Sequence, residues 1–322
     1  MLLQVLGTAA GGGLPQWNCA CPGCAGARAH PGRRRRHASL AVRAGPGRWY
    51  LVNATPDIGE QIEGCPDLLP DPSALPDPSA LPDPSALPDP TADIRRSPLA
   101  GVLLTDAELD HTLGVARLRE ARDGVDVWAT APVRHAVRDR LGLGAVLGPY
   151  TTFRWHELTA AAVPLGEGAE VAVSAVPVSA KRPRYAADIT GPAAEGDAWS
   201  VALLLRDTGT GATALYAPAL AAWTDAFEEA ARAADLVLVD GTFWDDEEPL
   251  RAGFSRATAT GMGHLPITGP GGTADRLARL PGRCLYTHLN NTNPLGDPGA
   301  EQHKQLAERG LDVAAERMVI EL

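Results

Sequence analysis

The chain has 322 residues, of which 45% are hydrophobic, and a formal net charge of −10. An acidic chain with only 5% aromatic residues lacks the basic patches and stacking surfaces of nucleic-acid-binding proteins, so we expect no nucleic-acid partner. No apolar run is long enough for a membrane span, and the N-terminus lacks the features of a signal peptide, so we expect a cytoplasmic protein without a membrane partner.

The first predicted strand, residues 1–6, leads into a glycine-rich stretch, residues 7–13. Three consecutive glycines allow the backbone to approach a ligand or another loop closely. A phosphate-binding loop is disfavoured, because neither a Lys-Ser/Thr pair nor a helix start follows.

Three of the five cysteines, Cys19, Cys21 and Cys24, form a Cys-x-Cys-x-x-Cys pattern. Thiolates are ligands that hold zinc tetrahedrally, and the odd number of cysteines does not suit a disulfide framework. The pattern predicts a structural Zn²⁺ site whose fourth ligand comes from elsewhere in the chain. Chance clustering is the alternative, and a redox pair is disfavoured because no thioredoxin-like βαβ unit surrounds the motif.

Residues 39–44 and 48–53 alternate in polarity around a Gly-Pro-Gly turn and predict a β-hairpin, followed by a helix near 58–62. From about residue 70 to 93 the chain repeats Pro-Asp-Pro-Ser-Ala-Leu. Frequent prolines prevent both helices and sheet ladders, so we expect an extended, mobile surface insertion. Because the fold resumes directly afterwards, we expect a single domain over residues 1–322.

The stretch Thr105-Asp106-Ala107-Glu108-Leu109-Asp110-His111 follows a predicted buried strand, residues 101–104, and precedes a predicted helix, residues 112–118. Ligand sites in α/β proteins cluster at such strand ends. Three carboxylates and an imidazole this close repel one another unless a divalent cation is bound. The alternative is a solvated acidic loop in which Asp110 caps the helix.

Strands and helices alternate through the rest of the chain. Strands are predicted over residues 126–129, 170–176, 199–206, 212–217, 236–239, 283–288 and 317–320, and helices over 133–141, 223–234 and 300–309. Strand pairs in both halves, with helices between and after them, predict an α/β fold of the αββα type, with two mixed sheets flanked by helices. Asp240 and His288 end two of these strands and are expected to converge with Asp110 and His111.

These motifs resemble those of the metallo-β-lactamase superfamily. The acidic stretch is similar to its Thr-His-x-His-x-Asp-His motif, and Asp240-Gly-Thr-Phe243, Met262-Gly-His264 and Thr287-His288 are similar to its later motifs, in the order of the phosphodiesterase and ribonuclease Z branch. The chain resembles the PQQ-biosynthesis protein B (PqqB) family more closely, from end to end apart from the proline repeat. The similar stretches are residues 7–21, 53–57, 104–112, 216–220, 240–244, 262–265 and 288–294.

The chain departs from the superfamily at the positions that bind zinc. Asp106 and Glu108 replace two ligand histidines, Ser179-Ala180-Lys181 stands where a third is expected, and residues 216–219 contain no bridging acid. A dinuclear zinc hydrolase site is therefore incomplete.

Asp110, His111 and His288 remain as metal ligands. Two imidazoles and one carboxylate with open positions form the ligand set of non-haem Fe(II) oxygenases, so we expect Fe²⁺, with other divalent metals as alternatives. Asp106 and Glu108 are candidates for further ligands or for hydrogen-bond partners of the ligands.

The resemblance implies an iron-dependent hydroxylase that uses O₂ to oxygenate the tyrosine ring of the glutamate–tyrosine precursor of PQQ. It also implies that Asp240 and His264 act as catalytic proton-transfer partners, since the matching positions form an acid–base pair in the hydrolase branch; a core histidine is the alternative for His264. Analogy with the phosphodiesterases suggests Asn291 as the fourth zinc ligand, although an amide is a poor one.

Two other functions stay open: a carrier that transports PQQ or its precursor, and a hydrolase of the metallo-β-lactamase type. The sequence does not determine the oligomeric state, for which a homodimer is one candidate.

Overall fold

Two seven-stranded mixed sheets form the centre of the molecule in the computed structural model, which describes residues 1–70, 97–191 and 198–322. The first sheet has the order β14 (Val319–Glu321), β1 (Leu2–Gly7), β2 (Ser39–Gly45), β3 (Arg48–Val52), β4 (Leu99–Leu103), β5 (Val125–Ala129), β6 (Phe153–Glu157). The second has the order β13 (Asp312–Val313), β12 (Arg283–Thr287), β11 (Leu236–Asp240), β10 (Thr213–Ala217), β9 (Ser200–Asp207), β8 (Val171–Ser179), β7 (Val163–Pro164).

Helices cover the outer faces of both sheets. They are α1 (Pro22–Ala29), α2 (Ile58–Glu63), α3 (Leu109–Thr112), α4 (Ala131–Arg134), α5 (Leu143–Leu147), α6 (Asp225–Ala233), α7 (Glu248–Arg251), α8 (Ala259–Met262), α9 (Ala274–Leu277) and α10 (Glu301–Ala307). None of these helices in the described ranges is both long and apolar enough to cross a bilayer.

Successive side chains of a strand point to opposite faces of its sheet, and this alternation explains the layers of the sandwich. Leu3 and Leu40 of the first sheet and Leu203 and Leu238 of the second lie in one buried cluster between the sheets. The alternate residues of each strand point to the outer face of their sheet. There the first sheet packs against α2 and α4, and the second packs against α6 and α10. The predicted αββα sandwich is therefore confirmed.

Most predicted elements lie within a few residues of the observed ones, with two exceptions. The helix predicted over 112–118 is wrong in its bounds: α3 occupies Leu109–Thr112, and a 3₁₀ segment follows over Leu113–Glu120. The helix predicted over 133–141 begins at Ala131 and continues as a π-helical turn, His135–Arg140. Residues 71–93 of the proline repeat lie outside the described ranges.

The sheet topology brings the predicted site residues to one end of the sandwich. β11 and β12 are parallel, so their carboxyl ends at Asp240 and Thr287 adjoin. The segment after β4 of the first sheet is bonded to β9 of the second, because the Val201 amide donates to the Thr105 carbonyl at 2.9 Å. The site therefore lies where the two sheets are joined.

Gly114 fixes the position of α3 by close backbone contact. Its amide donates to the Ala54 carbonyl at 2.8 Å, and a Cβ on this residue would lie 2.0 Å from the Thr55 carbonyl oxygen. The Ala54 amide in turn donates to the carbonyl of His111 at 2.8 Å. The same contact explains why a regular helix does not continue past Thr112.

We expect Gly114→Ala to lower the free energy of unfolding by about 1–3 kcal/mol, because the backbone must move to admit the methyl group. Urea denaturation measures the change. Gly32→Ala is the control, since no atom lies within 4 Å of a Cβ there, and it should stay within about 0.5 kcal/mol of the parent. Equal stability of the two variants would contradict the close contact at Gly114.

Candidate metal centre

Asp110, His111 and His288 converge at the end of the sandwich where the sheets are joined. The Asp110 Oδ2 atom lies 3.6 Å from Nε2 of His111 and 3.6 Å from Nε2 of His288. Both imidazoles are buried, and the three ligand atoms lie within 4.8 Å of one another. The structure thus brings together two residues from α3 and one that directly follows β12.

The Nε2 atoms of His111 and His288 are buried and have no hydrogen-bond partner within the described residues. Buried polar atoms in folded proteins are almost always paired. Two unpaired imidazole nitrogens facing one carboxylate oxygen therefore fit a bound cation, with His111, His288 and Asp110 as its ligands.

Asp106 orients His111. Its Oδ2 atom lies 2.7 Å from Nδ1 of His111 and accepts the Thr105 hydroxyl at 2.7 Å, and its Oδ1 atom accepts the Glu108 amide at 2.9 Å. A carboxylate on Nδ1 directs the lone pair of Nε2 toward a metal. This is the position of a hydrogen-bond partner of a ligand, which is one of the two roles predicted for Asp106.

His288 and His264 are held by Thr242 and Asp240. Nδ1 of His288 lies 2.8 Å from the Thr242 hydroxyl, which is 2.5 Å from Oδ1 of Asp240. Nδ1 of His264 lies 2.7 Å from Oδ2 of Asp240, which also accepts the Leu220 amide at 2.8 Å. The predicted Asp240–His264 pair is thus formed and lies beside His288.

The charges of the ligands depend on each other. Burial lowers the pKa of His111, but Asp106 and Asp110 outweigh it and raise the pKa to about 9. Burial raises the pKa of Asp110, but His111 and His288 outweigh it and hold the pKa well below its usual range. Burial lowers the pKa of His288 below its ordinary value. Without a metal, His111 therefore carries the proton that a cation would replace.

A cavity of about 290 Å³ opens onto these ligands. Its apolar wall contains Phe243 and Met262, and its polar lining contains Glu108, Lys181 and His264. Burial raises the pKa of Glu108, and the neighbouring carboxylates Asp106 and Asp110 reinforce the shift. The cavity thus has an apolar wall on one side and ionisable groups on the other, next to Asp110, His111 and His288.

The alternative of a solvated loop in which Asp110 caps the helix is wrong. The N-cap position of α3 is Glu108, whose side chain makes no capping bond, and Asp110 lies inside the helix. Gly11 packs against Asp110, since a Cβ on Gly11 would lie 3.2 Å from Oδ2. This contact is the close approach predicted for the glycine-rich stretch.

The three cysteines form a second cluster. The sulfurs of Cys19, Cys21 and Cys24 lie within 4.8 Å of one another, as a metal requires. The predicted fourth ligand, Asn291, adjoins them, with Nδ2 3.2 Å from the Cys19 sulfur and 3.4 Å from the Cys21 sulfur. In this orientation the amide donates to the sulfurs, so ligation by Asn291 requires its side-chain amide to turn and present oxygen.

Sequence reasoning missed the hydroxyl groups that support the ligands. Thr242 lies between Asp240 and two histidines, and Thr105 lies between Asp106 and Asn53. Asn53 adopts a φ of 66° and accepts the Thr105 amide at 3.0 Å. In the sequence, Thr105 falls inside the motif at residues 105–111 and Thr242 inside the motif at residues 240–243, but these motifs do not indicate the hydrogen-bond partners of either hydroxyl.

Comparison with known proteins identifies the family. Residues 48–289 match the model of the beta-lactamase superfamily domain. Coenzyme PQQ synthesis protein B of Azoarcus sp. (strain BH72) is 37% identical over 332 residues, covering 100% of both chains. The protein of the same name from Cupriavidus necator is 38% identical over 327 residues, covering 99% of each.

Solved structures agree with this result. The Zn²⁺-bound PqqB from Methylobacterium extorquens has a TM-score of 0.83 and 29% identity, with full coverage of both chains. A diphosphatase of the PhnP family has a TM-score of 0.62 and 16% identity, covering 100% of this chain and 97% of that one, which shows a shared fold alone. The resemblance drawn from the motifs is confirmed: the chain belongs to the coenzyme PQQ synthesis protein B family of the β-lactamase superfamily.

Proposed function

We propose that the chain acts in PQQ biosynthesis as a metal-dependent hydroxylase. In this proposal Asp110, His111 and His288 hold Fe²⁺, and the substrate is the tyrosine ring of the glutamate–tyrosine precursor, with O₂ as co-substrate. The observation that carries it is the pair of buried Nε2 atoms that face one carboxylate oxygen and lack a hydrogen-bond partner among residues 1–70, 97–191 and 198–322. Two imidazoles and one carboxylate with open positions suit non-haem iron.

The surroundings disfavour a two-metal hydrolase. Asp106, at a position where the superfamily has a histidine ligand, turns toward Nδ1 of His111 and is not free to bind a second ion. Lys181 lines the cavity near the position of another missing histidine, and its positive charge opposes a second cation. A mononuclear centre therefore agrees better with these residues.

Four residues that line the cavity are assigned roles in the proposed reaction. When bound, Fe²⁺ would activate dioxygen, so that one oxygen atom enters the ring while a reductant such as ascorbate supplies the two electrons with which the other atom leaves as water. Phe243 and Met262 provide an apolar wall for the substrate ring, and Lys181 provides a cation for a substrate carboxylate. His264 lines the cavity with Nδ1 held by Asp240, so its Nε2 atom is the one available to accept or donate a proton.

We expect Fe²⁺-loaded protein with ascorbate to add ¹⁸O from ¹⁸O₂ to the glutamate–tyrosine precursor, because the ligand set leaves positions open for oxygen chemistry. Mass spectrometry of the product measures the label. His288→Ala should lose nearly all iron and activity, whereas His135→Ala, at a partly exposed histidine that contacts Asp139 on the π-helical turn, should retain both.

Two outcomes would contradict the hydroxylase proposal. If His288→Ala still binds and delivers the unchanged precursor as well as the parent does, the protein is a carrier. If zinc-loaded protein turns over a phosphodiester while the iron form leaves the precursor unlabelled, it is a hydrolase.

Metal affinity should increase with pH between about pH 6 and about pH 8. His111, with a pKa of about 9, must release its proton to bind, whereas the lowered pKa values of Asp110 and His288 leave them able to bind with less proton competition. The dissociation constant should fall up to about tenfold per pH unit. Calorimetric titration with Mn²⁺, which prefers oxygen and nitrogen ligands to thiolates, measures it. An affinity independent of pH would contradict the protonation of His111.

A further inference from the structure

We propose that Thr242 is a positioning residue that fixes the tautomer and orientation of the metal ligand His288 and joins it to the cavity residue His264 through Asp240. Its hydroxyl is 2.8 Å from Nδ1 of His288, 2.5 Å from Oδ1 of Asp240 and 3.1 Å from Nδ1 of His264. The inference uses the metal site of the proposed function but not its reaction.

A hydroxyl has a single proton, and this determines the direction of the bonds. The Asp240 carboxylate can only accept, so the Thr242 proton goes to Asp240. Nδ1 of His288 must then carry the proton that the Thr242 oxygen accepts. Nε2 of His288 is consequently left with its lone pair, and this is the atom that faces Asp110 at 3.6 Å.

The surrounding backbone fixes the hydroxyl in place. Thr242 is 3% exposed; its amide donates to Oδ1 of Asp240 at 2.9 Å, and its carbonyl accepts the Asn290 amide at 3.0 Å. The Gly241 amide donates to the Thr287 carbonyl at 2.8 Å, so the segments that bear Thr242 and His288 are bonded directly to each other. The Thr242 oxygen therefore does not depend on a metal for its position.

The two metal histidines are supported differently. Nδ1 of His111 meets the Asp106 carboxylate directly at 2.7 Å, whereas His288 meets a neutral hydroxyl. A charge-assisted bond to a carboxylate is stronger than a bond to a neutral hydroxyl. His288 is therefore held by the weaker of the two Nδ1 bonds, and that bond depends on the one hydroxyl of Thr242.

Asp240 extends the arrangement to the cavity. Its Oδ2 atom holds Nδ1 of His264 at 2.7 Å, while its Oδ1 atom holds Thr242. The cavity histidine and the metal histidine are therefore aligned by one carboxylate. Without the Thr242 hydroxyl, the buried Nδ1–H of His288 would lose its acceptor, which favours rotation or the other tautomer with Nε2 protonated.

Thr242→Val tests this inference without reference to catalysis. We expect Mn²⁺ affinity of the full chain, followed by the EPR signal of free Mn²⁺, to fall about 10–100-fold, in line with the loss of a hydrogen-bond partner of a metal ligand. Thr242→Ser, which keeps the hydroxyl, should stay within about threefold of the parent. Thr273→Val is the matched control: it also removes a buried hydroxyl, but one whose hydrogen bonds within the described residues go to Tyr286 at 2.9 Å and to the Pro266 carbonyl.

Imidazole ¹⁵N chemical shifts of the metal-free protein provide the second measurement. The parent and Thr242→Ser should show His288 protonated on Nδ1, and Thr242→Val should show a mixture of tautomers. If Thr242→Val does not fold, Thr242→Ala replaces it. Unchanged shifts and unchanged Mn²⁺ affinity in a folded variant without the hydroxyl would overturn the inference.

Failure of the proposed metal site gives a different result. In that case the parent and His288→Ala bind Mn²⁺ equally, whereas the tautomer of His288 still responds to Thr242. The two ideas can therefore fail separately.

Discussion

The geometry of the site depends on two buried imidazole nitrogens that face one carboxylate oxygen at 3.6 Å and have no hydrogen-bond partner in the part of the chain that the structure describes. Such an arrangement is unfavourable in a dry protein interior, because unpaired buried polar atoms lose their hydration without compensation. The fold nevertheless fixes it from three sides: Gly11 packs on Asp110, Asp106 holds His111, and Thr242 holds His288. A cation is the group that satisfies all three ligand atoms at once.

One short segment connects the two candidate metal clusters. His288 adopts a φ of 59° directly after β12, Asn290 lines the cavity, and Asn291 contacts the sulfurs of the cysteine cluster. Thr292 then donates to the buried carboxylate of Glu248 at 2.6 Å. Because these residues all lie within positions 288–292, a fixed backbone at the cysteine cluster restricts the backbone that carries His288. The zinc predicted there would therefore support the active-site ligand as well as the local fold.

The sequence predicted the sandwich and the convergence of Asp110, His111 and His288, because both depend on local patterns. Buried strands read as apolar runs, and Asp110, His111 and His288 follow such runs directly. The 3₁₀ segment after α3 could not be predicted, since it results from the contact of Gly114 with Ala54, residues 60 positions apart in the chain. The role of Thr242 was hidden for the same reason: its hydroxyl meets the two histidines only when β11, β12 and the segment of His264 come together.

Asp106 illustrates how a metal-ligand position of the superfamily can become a position that supports another side chain. At Asp106 the superfamily motif has a histidine, whose longer side chain can reach a metal. The shorter carboxylate of Asp106 turns to the Nδ1 atom of His111, where it also accepts from Thr105 and Glu108. The carboxylate of Asp106 raises the pKa of His111 and orients its Nε2 atom. A position that holds a ligand histidine in the superfamily thus supports a neighbouring histidine in this chain.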